Sequence, residues 1–169
     1  MTLTDNYKTY VIEEKEDQTM SIEKNNDVQL YTVLESINEL TNDSMCVLNH
    51  LFVNEGNEPQ FESKFLKRTK YLQDVPGFKA LRFLRPQTKH RHYIILTLWK
   101  DRQSFYDWQS SDAYGKTHKK RGTKQGVDNK TVNRDLSYNV RIELANLETS
   151  IDIDNMFNIC LLYTSDAAD

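Results

Sequence analysis

Three side chains carry the chemistry this sequence could perform: Asn49, Trp108 and His118. Asn49 falls inside Met45–Val53, where Val47, Leu51 and Val53 share its face. A carboxamide among such neighbours costs about 1–3 kcal/mol if nothing pairs with it. Either a nearby backbone group satisfies it, or it points into a pocket and donates to a bound oxygen atom. Trp108 lies three residues after Phe105 on one helical face, as a core indole or as the wall of a cleft. His118 follows in the run Tyr114-Gly115-Lys116-Thr117-His118-Lys119-Lys120-Arg121. Ten residues of helix span ~15 Å. That is too far for Trp108 and His118 to share one bare metal ion, and it suits two walls around a wide, flat ligand. The plainer reading of His118 is a surface histidine in a solvated basic stretch. Lys116, Lys119, Lys120 and Arg121 supply cations that could meet ligand carboxylates.

These residues need elements to hold them. Met45–Val53 is expected to be a strand apolar on both faces, followed by the turn signal Asn54-Glu55-Gly56-Asn57. Pro59 suits the first turn of a helix, and Phe61, Phe65 and Leu72 recur at helical spacing until Pro76-Gly77 stops it. Phe78–Arg85 and Tyr93–Trp99 read as strands. Asp101 is a candidate N-cap for a helix carrying Phe105 and Trp108. Ser110-Ser111-Asp112 ends that helix and caps a second, from Ala113 to about Arg121. Gly122–Arg134 reads as a polar loop. Leu136–Leu144 alternates strictly, with Leu136, Tyr138, Val140, Ile142 and Leu144 on one side and polar residues on the other. The order β-α-β-β-α-β is the ferredoxin-like α+β arrangement. Two-sided apolar strands imply a sheet covered on both faces. The helices cover one; a second subunit or the N-terminal segment must cover the other. In that segment Tyr7–Glu13 and Val28–Leu34 read as strands and Glu35–Leu40 as a helical turn.

With 38% hydrophobic and 28% charged residues, the chain has the composition of an ordinary soluble globular protein, and its length suggests one domain with a short appendage. No apolar stretch approaches the ~20 residues that span a bilayer, and no secretory signal is recognisable at the start. The expected division is an extension over 1–43, which could serve as a degenerate partner for the sheet, a main domain over 44–145 and a tail over 146–159. The last ten residues, CLLYTSDAAD, read as an in-frame translation of a sequencing adapter. If so, Cys46 is the one native cysteine, Cys160 belonging to the adapter, which fits a reducing, cytoplasmic setting. Residues 1–43 carry 3 Lys+Arg against 10 Asp+Glu, whereas 44–159 carry 19 against 13. The basic excess is too dispersed for a nucleic-acid binder and fits an anionic small molecule better.

His50 alternates away from Asn49. His90 and His92 flank Arg91 as a His-x-His pair with no third ligand in view, which argues against a metal site. The sequence has no glycine-rich phosphate loop, nucleophile elbow or paired-carboxylate signature.

Four segments in order, Pro76-Gly77-Phe78 to Leu84-Arg85-Pro86, Tyr93 to Trp99, Phe105-Tyr106-Asp107-Trp108-Gln109-Ser110-Ser111, and His118-Lys119-Lys120-Arg121, resemble the bacterial heme-degrading monooxygenases of the antibiotic-biosynthesis-monooxygenase (ABM) superfamily. The resemblance is to the single-chain type with an N-terminal extension, and it covers about Tyr31 to Tyr138. It implies a ferredoxin-like domain of the dimeric α/β-barrel type, as a monomeric pseudo-dimer or a homodimer. It implies heme as both substrate and cofactor, with molecular oxygen and an electron-donating reductase as co-reactants and the porphyrin ring opened to release iron. His118 would be the axial ligand of the heme iron, Asn49 a hydrogen-bond donor on the opposite side and Trp108 an indole pressed against the porphyrin, with Lys119 and Arg121 near its carboxylates. The same superfamily branch holds regulatory proteins similar to the staphylococcal target of RNAIII-activating protein. These resemble this sequence in its Gly-Phe-Lys, Arg-Pro and Ser-Asp-Ala segments, but do not keep Asn, Trp and His together. A heme carrier without turnover, or a cofactor-independent monooxygenase, would also fit the architecture.

Overall fold

The computed structural model describes residues 2–4, 9–42, 45–88, 91–111 and 131–143. Among these residues eight strands form a single sheet: β1 (Thr2–Thr4), β2 (Thr9–Lys15), β3 (Thr19–Lys24), β4 (Asp27–Ile37), β5 (Met45–Val53), β6 (Phe78–Pro86), β7 (Tyr93–Trp99) and β8 (Val132–Glu143). Helix α1 (Glu58–Arg68) runs into a 3₁₀ turn (Thr69–Asp74), and α2 (Arg102–Gln109) follows β7. The sheet order is β1-β2-β3-β4-β6-β7-β5-β8, with every pairing antiparallel. Strands β5 to β8 with the two helices are the expected ferredoxin-like α+β core, and β1 to β4 are its N-terminal β extension.

Period-two patterning gives each central strand two apolar faces. One face of the sheet, carrying Val47, Leu51, Leu81, Phe83, Ile95 and Trp99, packs under the helices through Phe61, Leu72 and Phe105. The opposite face, carrying Cys46, Leu48, Leu84, Leu96 and Ile142, packs with Tyr10, Ile12, Met20 and Ile22 of β2 and β3. The cover for that face is therefore the N-terminal segment. Lying flat, β2 and β6 would be three strand spacings, about 14 Å, apart. Yet Arg82 Nε on β6 donates to Glu14 Oε1 on β2 at 2.7 Å, so the sheet curls back over its own apolar face. Three further bonds from Arg82 Nη1, to the carbonyls of Asn38 (2.7 Å), Leu81 (2.8 Å) and Ile37 (3.3 Å), help satisfy this buried guanidinium. Burial in this layer pushes the Cys46 thiol well above its ordinary pKa.

Several expectations need correction. Glu35–Ile37 completes β4 instead of starting a helical turn, and a positive φ of 59° at Asn38 ends the strand. Strand β3 was not expected. It is made possible by a three-residue turn at Glu16-Asp17-Gln18 and a two-residue turn at Asn25-Asn26, with positive φ at Asp17, Gln18, Asn25 and Asn26, conformations that tight hairpin turns require. Strand β8 begins at Val132, inside what reads as a loop. Its pairing with β5 jumps from Phe52↔Asn133 to His50↔Tyr138. The bulged residues fold into a tight local network: Ser137 Oγ donates to the Asn133 carbonyl at 2.7 Å and accepts from Phe52 N–H at 2.9 Å. Leu136 is thereby lifted into solvent, half exposed. The expected helix from Ala113 to about Arg121 lies outside the described residues. No helix among the described residues is long and apolar enough to cross a membrane.

Candidate functional site

A cleft opens between the helical layer and the sheet, with a cavity of about 160 Å³ at its base. Small-molecule sites run to roughly 300–1,000 Å³, so a large ligand must occupy the open mouth as well as this cavity. Its floor is the face of β5, β7 and β8 that carries Val47, Asn49, Leu51, Thr97 and Asn139, and its wall includes Phe105 and Trp108. Asn49 and Trp108, separated by 59 positions in the chain, thus face the same space. His50 points the other way. It is buried in a stack on Tyr138, ring centroids 4.3 Å apart, with His92 edge-on at 6.2 Å. No group of three or more metal-ligating side chains occurs among the described residues.

The polar floor is under-satisfied. The Asn49 amide has no hydrogen-bond partner among the described residues, and it is partly open to the cleft. Asn139 stands directly across from it in the β5–β8 register, and its Oδ1 is fully buried with no partner. A buried polar atom left unpaired costs about 1–3 kcal/mol, so the floor is poised to accept a polar guest.

Helix α2 brings Trp108 to the cleft. Its start is fixed by the expected cap: the Asp101 carboxylate accepts from Ser104 N–H at 2.8 Å and from Ser104 Oγ at 2.7 Å, bonds that hold its pKa below the usual carboxylate range. Phe105 and Trp108 then lean on Trp99 of β7 at 5.6 and 5.4 Å between ring centroids. The helix ends at Ser110–Ser111, whose N–H groups and Ser111 hydroxyl turn back on the carbonyls of Tyr106 and Trp108. Arg141 of β8 lies over Phe105 at 5.2 Å and donates to the Tyr106 hydroxyl, tying the helix to the edge strand.

Helix α1 supplies the opposite wall. Phe61, Lys64, Phe65 and Arg68 follow the i, i+3, i+4, i+7 rule and all line the cleft, so two cations sit on the stripe that faces the pocket. Among the described residues no Asp or Glu lines it, so Lys64 and Arg68 attract an entering anion. Glu62, one position off that stripe, anchors the helix. It takes a forked pair of bonds from Arg85 at 2.8 and 2.5 Å and a third from the Tyr93 hydroxyl at 2.5 Å. The Arg85 bonds hold its carboxyl below the ordinary range. Burial, and then the bond to Glu62, push the Tyr93 hydroxyl up.

Of the expected site residues, Asn49 and Trp108 come together, while His118, Lys119 and Arg121 lie outside the described residues. Sequence reasoning missed Lys64, Arg68 and Asn139. The i, i+4 spacing of the two cations with Phe61 and Phe65 was the available signal for the first two. Asn139 had a weaker one, its place on the alternating strand Leu136–Leu144.

Residues 44–120 match the family model for antibiotic biosynthesis monooxygenase. That match spans 77 of the 169 residues, and the fold of the chain is ferredoxin-like α+β with an N-terminal β extension. A protein described as a major regulator of staphylococcal pathogenesis superposes with a TM-score of 0.67 at 19% identity, over 86% of this chain and 84% of that one. A ferredoxin-fold protein related to antibiotic biosynthesis monooxygenases, from Listeria monocytogenes 4b F2365, gives 0.54 at 14% identity over 82% and 81%. LmHde, a heme-degrading enzyme from Listeria monocytogenes, gives 0.54 at 14% identity over 80% and 84%. At these identities the likeness is one of fold.

Proposed function

We propose that this chain binds heme in the cleft and opens its porphyrin ring with oxygen and an external electron donor, releasing iron. The supporting observation is that Asn49 and Trp108, far apart in sequence, line one mainly apolar cleft whose helical wall carries Lys64 and Arg68. Such a cleft is complementary to a flat, apolar disc bearing carboxylates. LmHde has the same fold and degrades heme, so the architecture is compatible with the reaction.

Heme, when bound, supplies the iron that activates oxygen, and the protein's part is binding, orientation and electrostatics. The apolar floor of Val47, Leu51 and Ile95 excludes water from one side of the ligand. Asn49 would donate an amide N–H to a polar atom of the bound ligand. Trp108, backed by Trp99 and Phe105, would offer its indole as a contact surface for the ring. Lys64 and Arg68 pair with the carboxylates. On the resemblance, His118 supplies the imidazole for the iron, with Lys119 and Arg121 beside it.

The test is a titration of the full chain with hemin, followed by ascorbate or a reductase in air. A Soret band should form and then disappear, with iron appearing in a ferrous chelator. His118→Ala should weaken or abolish the band, and Trp108→Phe should keep uptake and slow its loss. A protein that takes up no hemin would refute the proposal and favour a regulatory role on the fold it shares with the staphylococcal regulator. Heme that persists under reductant and oxygen would make it a carrier.

A further inference from the structure

We propose that Asn139 is a second working carboxamide of the cleft, which with Asn49 seats one hydroxyl-bearing guest: a water molecule in the free protein and an O–H group during turnover. The turnover half of this rests on the heme reading above; the water half does not. Asn49 and Asn139 are directly opposed on β5 and β8, and both line the cleft. Directly opposed residues on one sheet face have Cβ atoms about 4.5–5.5 Å apart. The two amides could bond to each other, yet no such bond forms, and Asn139 Oδ1 is fully buried and unpaired. Asn49 offers N–H groups and Asn139 offers an acceptor. The complementary guest accepts from one and donates to the other, as water or a hydroxyl does and a bare carbonyl or dioxygen does not. Exchanging the oxygen and nitrogen of both amides together keeps one donor and one acceptor in the pair, so the requirement for an amphoteric guest is then unchanged. The pair thereby discriminates for a protonated oxygen over an unprotonated one. That is a positioning role distinct from the single donor expected at Asn49.

The test begins with the free, full-length chain at high resolution. A water within 2.7–3.2 Å of both amides is expected. Asn139→Leu, close in volume and apolar, then separates two cases by thermal unfolding. If the amide is idle, removing its unpaired atom raises the melting temperature by a few degrees. If it holds a water, the temperature stays level or falls. Asn139→Asp keeps an acceptor and provides a second variant if the leucine form folds poorly. In hemin-loaded protein, Asn139→Leu should leave hemin affinity within about twofold and slow loss of the Soret band about tenfold, the effect of one hydrogen bond made in the transition state. Asn139→Asp should recover most of the rate. An absent shared water, or a more stable leucine variant, overturns the proposal whether or not hemin binds. Wild-type turnover in Asn139→Leu overturns its catalytic half. Failure of the wild type to take up hemin counts against the heme reading and leaves the water seat to the first two measurements.

Discussion

Gly77→Ala should be the most damaging single-methyl change in the site's scaffold. Gly77 turns the chain from the 3₁₀ segment into β6 with φ at +81°, and its carbonyl accepts from Lys100 N–H at 2.7 Å just before α2. A Cβ built there would lie 2.1 Å from Ser104 Oγ and 2.3 Å from Ser104 Cβ. The hydroxyl can rotate away, but the Cβ is fixed to helix α2, so either the turn or the helix must move. The left-handed backbone alone costs an L-residue roughly 1–2 kcal/mol, and overpacking typically adds 1–3 kcal/mol. At about 2–4 °C per kcal/mol for a chain of this size, the melting temperature should fall by roughly 5–15 °C. Circular dichroism reads this directly, and the tryptophan emission of Trp99 and Trp108 should shift as α2 is displaced. Adding Ser104→Gly removes the collision but not the backbone strain, so the double variant should recover only part of the loss. A Gly77→Ala protein melting within about 2 °C of wild type would show that the turn and helix yield freely, and the reasoning from close approach would be wrong.

Lys64→Ala and Arg68→Ala should each weaken hemin uptake about two- to fivefold, the range of a partly exposed ion pair. The loss should shrink as salt is raised across a titration series; a loss unaffected by salt would argue against a charge role. The Glu62 carboxyl is held low in the folded protein, so its contribution is present above the ordinary value of about 4.3 and is lost as pH falls through its lowered folded value. The melting temperature of Glu62→Gln should accordingly depend less on pH between 5 and 3 than that of wild type, and equal slopes would sink the assignment. A chain lacking residues 1–42 loses the cover over Cys46, Leu48, Leu96 and Ile142 and should self-associate or precipitate on size-exclusion chromatography. A stable monomer would contradict the covering role of β2 and β3.

Strands with strong two-sided patterning were legible from residues alone. Met45–Val53 and Tyr93–Trp99 match in both bounds because apolar runs between turn signals leave little freedom. The Asp101 cap was equally readable, since a carboxylate before a helix has few other uses. Thr19–Lys24 was missed because its turns use Asp-Gln and Asn-Asn with no glycine, and because Glu and Lys break its apolar alternation. Leu136 misled for another reason. Alternation assumes a regular ladder, and the bulge between His50 and Phe52 shifts the register that the pattern depends on. The same pattern concealed Asn139 and Arg141: a polar side of an edge strand reads as solvent-facing, and only the packing of α2 shows that it looks into the protein. Lys64 and Arg68 were hidden likewise, because charged residues on a helix are ordinarily assigned to its wet side.

Strand β5 holds Leu48, Asn49 and His50 in succession, with the cleft on one side and the sealed layer on the other. A slip of one residue against β7 would drive the Asn49 carboxamide into a dry interior and turn Leu48 and His50 toward the pocket. The ligand-facing amide therefore also guards the alignment of the strand. Misaligned folding intermediates would be penalised by the very group that serves the mature site, so selection for binding and selection for correct assembly act here on a single side chain.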